Sequence, residues 1–224
     1  MSTKDKILES ARQLFFSIGY DKTSVQRIID DVGIAKGTFY HHFKTKEQLL
    51  DELTDALVQS DVDRTNEEIL LSDQSALEKF NNMVSKHGDW KANHFDLLYT
   101  VLKAYYSDNN HYFRAMMRQK NSRNFALIFE KIIRQGIEEG VFKTEFPKEM
   151  SEMIVRLSNA ESEEIMFVML NYKDFDDPVK EIVRRYHMLI HAMEKILGAQ
   201  EGAIKVEIEE IMTAFIAFLK TKEV

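Results

Sequence analysis

Apolar residues recur at helical spacing along almost the whole chain. Ile7, Leu8, Ala11, Leu14 and Phe15 share one helix face, with Thr3 as a candidate N-cap and Gly19 where a left-handed residue would end the helix. Thr23 and Gln26 read as a Thr-x-x-Gln capping box. It opens a short helix carrying Val25, Ile28, Ile29 and Val32 and stopped by Gly33. A third helix is predicted over 36–42. A second capping box, Thr45 with Gln48, starts a longer helix with Leu49, Leu50, Leu53, Ala56 and Leu57 inward.

Beyond residue 57 the same period continues. Leu77, Phe80 and Val84 mark one helix, ending near Gly88, and Phe95, Leu98, Leu102 and Tyr105 mark another. A long helix is predicted from Tyr112 to Glu139, ended by Gly140. Pro147 and Pro178 suit the first helical position, the second behind Asp177 as N-cap, and open helices over 147–170 and 178–197. Gly198 closes the latter, and a final amphipathic helix is expected over 204–220. No stretch alternates long enough for a strand, and no internal repeat is present. The pattern predicts an all-α protein.

Composition narrows the function classes. At 224 residues with 44% hydrophobic content the chain can bury a sizeable core. The absence of cysteine excludes a disulfide scaffold, a cysteine-ligated zinc site and a thiol nucleophile. With no leader pattern and no apolar run of about 18 residues, a cytoplasmic protein with no membrane partner is expected. The net charge of −7 is unevenly spread. Residues 1–50 hold eight Lys and Arg against six Asp and Glu, a net +2, and residues 51–224 hold 22 against 31, a net −9. A mildly basic head on an acidic body suits a small DNA-reading module joined to something else; chance also produces such a split.

The segment TSVQRIIDDVGIAKGTFYHHF, residues 23–43, carries the sharpest signal. A two-turn helix, a glycine-centred turn and a second helix form a helix-turn-helix arrangement, although an ordinary αα-hairpin has the same spacing. Ile28, Ile29, Val32 and Ile34 supply an apolar wedge between the helices. The second helix offers Lys36, Gly37, Thr38, Tyr40 and His41: a cation, a hydroxyl, an aromatic with a polar tip, and no bulk at Gly37. A glycine within a helix costs about 1 kcal/mol relative to alanine, a cost that close approach of a DNA backbone would explain.

GIAKGTFYHHFKTKEQLL, together with ILESARQLFFSIGY and Thr23, resembles the N-terminal signature of the tetracycline-repressor (TetR) family of transcriptional regulators from about Ile7 to Leu53. The rest of the chain is similar in layout, with RQGIEEGVF at 134–142 resembling a common family segment. The resemblance implies a helix-turn-helix DNA-binding domain at 1–46 and a helical effector-binding and dimerisation domain at 47–224. It also implies a homodimer on double-stranded, pseudo-palindromic operator DNA, usually as a repressor, with an unidentified small-molecule effector weakening DNA binding. Two recognition helices would then lie in successive major grooves, roughly 34 Å apart.

By the same resemblance Thr23 and Ser24 would meet phosphate at a helix N-terminus, Lys36, Gly37, Thr38, Tyr40 and His41 would form the recognition helix, and Lys46 would contact the DNA backbone. Phe39 and Phe43 read as core, against Phe15 and Leu49. Ala35 stands where the family often has Ser or Thr, which removes a helix cap.

A central excess of methionine and aromatic residues suits an adaptable apolar pocket for an apolar or amphipathic effector. The candidates are Trp90, Phe95, Tyr99, Tyr105, Tyr112, Phe113, Met116, Met117, Phe125, Phe129, Met166 and Met169. Most of these residues must be ordinary core. The late helices carry apolar stripes rich enough for a dimer interface, with Met153, Leu157, Tyr186, Leu189, Ile190 and Met193 as candidates. His187 and His191 have metal-ligand spacing but no third ligand, and Glu161, Glu163 and Glu164 read as solvated surface. No metal, cofactor or catalytic residue is expected. The rival readings are a DNA-binding regulator without a small effector and, further off, a helical-bundle enzyme; the missing Gly-rich loops and acid/base pairs speak against the enzyme.

Overall fold

The computed structural model describes residues 1–85, Phe95, Tyr99, Tyr106 and 108–222. Every regular element among them is helical: α1 (Thr3–Ser17), α2 (Val25–Val32), α3 (Lys36–His42), α4 (Lys46–Thr65), α5 (Ala76–Ser85), α6 (His111–Glu138), α7 (Pro147–Leu170), α8 (Pro178–Leu197) and α9 (Glu209–Thr221). A π-turn at Asn66–Leu70 extends α4, and short 3₁₀ turns precede α6 and α8. None of these helices is long and apolar enough to cross a membrane.

The helix ends show which residues start and stop each element. Ser2, not Thr3, caps α1: its hydroxyl accepts from Asp5 N–H while the Asp5 carboxylate accepts from Ser2 N–H, a reciprocal box one residue earlier than the sequence pattern suggests. Gly33 and Gly198 end α2 and α8 in the left-handed conformation. Asp177 caps α8 through Lys180 N–H, and Thr45 caps α4 through Gln48 N–H. The last helix starts at Glu209 rather than 204, because 199–208 is a non-helical strap pinned by side chains. Buried Glu194 accepts from Ile204 N–H at 3.0 Å, and Asn81 both donates to Ala203 O and accepts from Lys205 N–H. The Ile204 and Lys205 N–H groups and Ala203 O thus bond to side chains, while Ala199 and Ala203 N–H groups bond to Glu194 O and Gln200 O.

The chain packs as two compact units, residues 1–61 with 100–121, and residues 62–99 with 122–224. The first therefore runs past residue 46, where the family layout suggests a boundary. Its core joins Ile7, Ala11 and Phe15 of α1, Ile28 and Ile29 of α2, Phe39 and Phe43, Leu49, Leu50 and Leu53 of α4, and Phe113 of α6. Ala56 lies exposed, and Val58 takes the buried position on α4. Lys120 of α6 bonds to α4 through the carboxylates of Asp51 and Asp55, both at 2.7 Å, and through the Asp51 carbonyl.

The second unit is built on Phe80 of α5, Phe129, Ile132 and Ile133 of α6, Ile154 and Val155 of α7, and Leu189, Ile190 and Met193 of α8. Gly136 lets the chain fold back onto the end of α6. The Phe142 ring lies where a side chain at Gly136 would be, so that a Cβ there would collide with its Cδ2, and the ring packs on Phe80 at 5.7 Å between centroids. Arg185 of α8 ties Glu161 and Glu164 of α7 to Glu181, so that part of the carboxylate cluster is paired rather than solvated.

Three of the six interface candidates from the sequence are interior to this unit. Leu189, Ile190 and Met193 are 6%, 7% and 2% exposed and pack in the core of this unit, which leaves them little surface to offer a second chain. A glutamate at Leu189 would be buried without a partner, a change that costs several kcal/mol. Leu189→Glu is expected to lose cooperative melting and helical circular dichroism rather than to yield folded monomers. Thermal melts alongside sedimentation velocity check this.

Candidate nucleic-acid interface

The motif that the sequence singles out folds as two short helices around a tight turn. Ser24 caps α2, its hydroxyl accepting from Arg27 N–H at 3.1 Å. Gly33 (φ 71°) reverses the chain, and the N–H groups of Gly33 and Ile34 both return to Ile29 O. α3 then begins at Lys36. Its N-cap, Ala35, makes no side-chain bond, so the first N–H groups of α3 receive nothing from the cap residue's side chain. Ile28, Phe39 and Phe43 are fully buried, the two Phe rings 5.9 Å apart, with the Tyr40 ring edge-on to Phe39 at 5.4 Å. This packing fixes the rotation of α3 about its axis and so decides which residues face outward.

Lys36, Gly37, Tyr40 and His41 are exposed and Thr38 is half-buried. Ser24 is exposed one helix earlier. Nothing in the protein lies within 4 Å of a Cβ built on Gly37, in contrast to Gly136 and Gly19, so internal packing does not account for glycine there.

Two of the expected phosphate contacts are otherwise engaged. The Thr23 side chain is fully buried, its hydroxyl donating to Gly19 O at 2.8 Å and its N–H to Tyr20 O at 3.1 Å. Neither the hydroxyl nor the N–H is available to DNA, and the capping box expected of Thr23 and Gln26 gives way to a cap by Ser24. Lys46 turns inward. Its Nζ donates to Tyr20 O (2.9 Å) and Thr23 O (3.1 Å) and sits 4.0 Å from the centre of the Tyr20 ring. Loss of water there lowers the Lys46 pKa from the usual lysine value despite nearby Asp21 and Glu47. The same burial, with the Glu47 charge, pushes the Tyr20 phenol well above its ordinary value.

The structure also exposes cations beside α3 that the sequence pattern does not single out. Arg27 of α2 has carboxylates three and four residues on, an arrangement that usually makes an intrahelical ion pair. Here Asp30 accepts from Gln26 Nε2 at 2.7 Å and Asp31 from the Ser10 hydroxyl at 2.6 Å, and Arg27 makes no ion pair among the described residues. The Ser10–Asp31 bond spans 21 positions and has no local signature. Lys44 is exposed just past α3 and donates to Tyr40 O.

Among the described residues, the central Met and aromatic candidates are divided between the two units. Trp90 and Tyr105 lie outside the described residues. Tyr112, Phe113, Met116 and Met117 belong to the first unit, where Phe113 is core against Phe16 and the two methionines pack on that core. Phe129 and Met169 are buried, Phe125 and Met166 half-buried, and Phe95 and Tyr99 face Phe215 and Phe218 of α9. A groove of about 780 Å³ in the second unit is lined instead by Asn81, Val183, Tyr186, His187, Val206 and Ile208, among others. Tyr186, expected at an interface, is one wall of that groove. Among the described residues no group of three His, Asp or Glu side chains is arranged to hold a metal ion.

Comparison with known proteins agrees with this geometry. The chain is 42% identical over 52 residues to the transcriptional repressor KstR2 of Mycolicibacterium smegmatis, covering 23% of this chain and 25% of that protein. It is 45% identical over 53 residues to the transcriptional regulator QacR of Staphylococcus aureus, covering 24% and 28%. Such alignments span between a quarter and a little over a third of these curated relatives. Solved structures match over nearly their whole length. Reduced NemR of E. coli aligns with a TM-score of 0.55 at 17% identity over 88% of this chain and 97% of that one. FadR of Bacillus subtilis, in complex with stearoyl-CoA, aligns with a TM-score of 0.56 at 20% identity over 88% and 99%. Residues 7–53 match the tetR family of bacterial regulatory proteins, and residues 100–176 match a tetracyclin repressor-like C-terminal domain. With an N-terminal and a C-terminal domain of the family both matched and the helix-turn-helix in place, the chain belongs to the TetR family of DNA-binding transcriptional regulators.

Proposed function

We propose that this protein is a repressor that binds a pseudo-palindromic operator as a homodimer, laying α3 in the major groove, and that a small apolar or amphipathic effector releases it. The observation that carries the DNA reading is the outward set on a rigidly packed α3: Lys36, Gly37, Thr38, Tyr40 and His41, with Ser24 and Arg27 of α2 beside it. Side chains of these types reach base edges and phosphates, and the buried Phe39 and Phe43 hold them in register. Phosphate positioning falls to Ser24, Lys36, Arg27 and Lys44, while Thr23 and Lys46 support the turn behind α2.

Dimerisation is assigned to apolar residues that remain exposed on the late helices. Met153 and Phe167 lie about four turns apart on one face of α7, 43% and 57% exposed, with half-buried Leu157 between them. Met188 of α8 is 45% exposed. A two-fold axis repeats such a face on both chains and so covers it.

The first test is selection of bound duplexes from a random pool, followed by anisotropy on the selected site. Tyr40→Ala and Lys36→Ala are each expected to weaken operator binding by about 1–3 kcal/mol with unchanged melting. Gly37→Ala separates stability from function. Alanine is about 1 kcal/mol the better helix former and meets no protein atom, so melting should rise while operator affinity falls. For assembly, Phe167→Glu should give folded monomers by sedimentation, with operator binding lost. An effector should raise the melting temperature and release DNA, with stabilisation of about 2.7 kcal/mol at a hundredfold excess over Kd. A compound that stabilises the protein and leaves the operator bound argues against it as the releasing ligand.

A further inference from the structure

We propose that Asn110 is a positioning residue for DNA reading: it holds the corner between α1 and α2 from a point ninety positions later in the chain, and operator-competent placement of α2 and α3 depends on it. This rests on the DNA-reading role argued above.

The observations lie within the first unit. Between the end of α1 and the Ser24 cap, the chain turns through Gly19–Thr23 and leaves backbone groups that neither helix can pair. Asn110 is 1% exposed and meets two of them: its Oδ1 accepts from Tyr20 N–H at 2.7 Å and its Nδ2 donates to Phe15 O at 3.1 Å. The carbonyl of Asn109 accepts from Asp21 N–H at 3.0 Å. Gly19, at φ 93°, makes this approach possible, because a Cβ there would fall 2.5 Å from Asn109 Cβ. Rings close the same contact, with Tyr112 at 5.7 Å from Tyr20 and Phe113 at 5.5 Å from Phe16.

An asparagine side chain presents one acceptor and two donors in a plane, and here it satisfies an N–H and a C=O on either side of one turn. No apolar side chain could replace it without stranding both groups in the interior. From this turn the chain passes directly through buried Thr23 to the Ser24 cap and the start of α2, so a change of angle at the corner reaches α2 and α3 as a unit. The same helix that follows Asn110 supplies residues 122–138 to the second unit.

The test uses the full-length protein and a duplex selected by the wild type. Asn110→Ala should lose about tenfold in operator affinity while binding to a random duplex changes little, since phosphate contacts alone tolerate misalignment. The Tyr20 and Asp21 amides, and those of α2, should exchange faster in this variant than in wild type. Should Asn110→Ala fail to fold, Asn110→Asp carries the test. As a carboxylate it cannot donate to Phe15 O, and as a neutral acid it can both accept and donate. A buried carboxyl has a raised pKa, so the deficit relative to wild type should shrink between about pH 8 and about pH 6.5. Asp21, Lys46, Glu47, Tyr112 and the neighbouring His111 are present in both proteins, so their own effect on DNA binding is common to the two, while their charges act on the new carboxyl in the variant alone. Wild-type operator affinity in Asn110→Ala, or in a folded Asn110→Asp at about pH 8, overturns the proposal for Asn110 alone. A wild-type protein that selects no DNA sequence overturns the DNA-reading role, and this proposal with it.

Discussion

The corner between α1 and α2 cannot satisfy its own backbone. Thr23 N–H returns to Tyr20 O, but the Tyr20 and Asp21 N–H groups and the Phe15 and Thr23 carbonyls take partners from outside the corner, and Phe15, Tyr20 and Thr23 are buried. Two distant segments take them up. Asn109 and Asn110 meet Phe15, Tyr20 and Asp21, and the Lys46 ammonium meets the carbonyls of Tyr20 and Thr23. The DNA-reading motif is therefore more than three consecutive helices: its first corner is completed by the start of α4 and by the turn before α6.

This explains why residues 108–121 pack with the N-terminal unit. Once Asn110 is seated, Phe113 enters the core of the motif and Lys120 lands on Asp51 and Asp55 further along α6. Polar and apolar contacts are interleaved along one helix face. Each polar pair is local in its demands, but together they set the register of α6 against α4. In the second unit the corresponding constraint is the burial of α8. Its Leu189, Ile190 and Met193 stripe is interior, and Glu194 places its carboxylate on the strap backbone.

Local signals are legible in the sequence. The bounds of α3, α7 and α8, the left-handed glycines at 33 and 198 and the Asp177 cap follow from side-chain period and from what a proline or glycine does to its own backbone. The caps expected at Thr3 and Thr23 are each displaced by one residue, because neighbouring hydroxyls compete and burial chooses between them. Ala56 and the 204–208 start of the last helix fail for a different reason. Helical spacing cannot tell which of two nearby apolar positions faces the core, or that Asn81 bonds the backbone at 203 and 205.

By itself the sequence determined the all-helical class, the helix-turn-helix and the exposed character of Lys36, Tyr40 and His41, because these depend on residues within a few turns of one another. Tertiary structure decided the rest. It turned Lys46 inward, buried Thr23, bonded Asp31 to Ser10, and put Phe113, Met116 and Met117 in the DNA-reading unit. It also placed Leu189, Ile190 and Met193 in the interior and left Met153, Phe167 and Met188 outside. An apolar stripe has the same appearance in sequence whether its partner is the same chain or another. Only the packing of helices distant in sequence shows which face is already covered, and which buried polar group has found a partner.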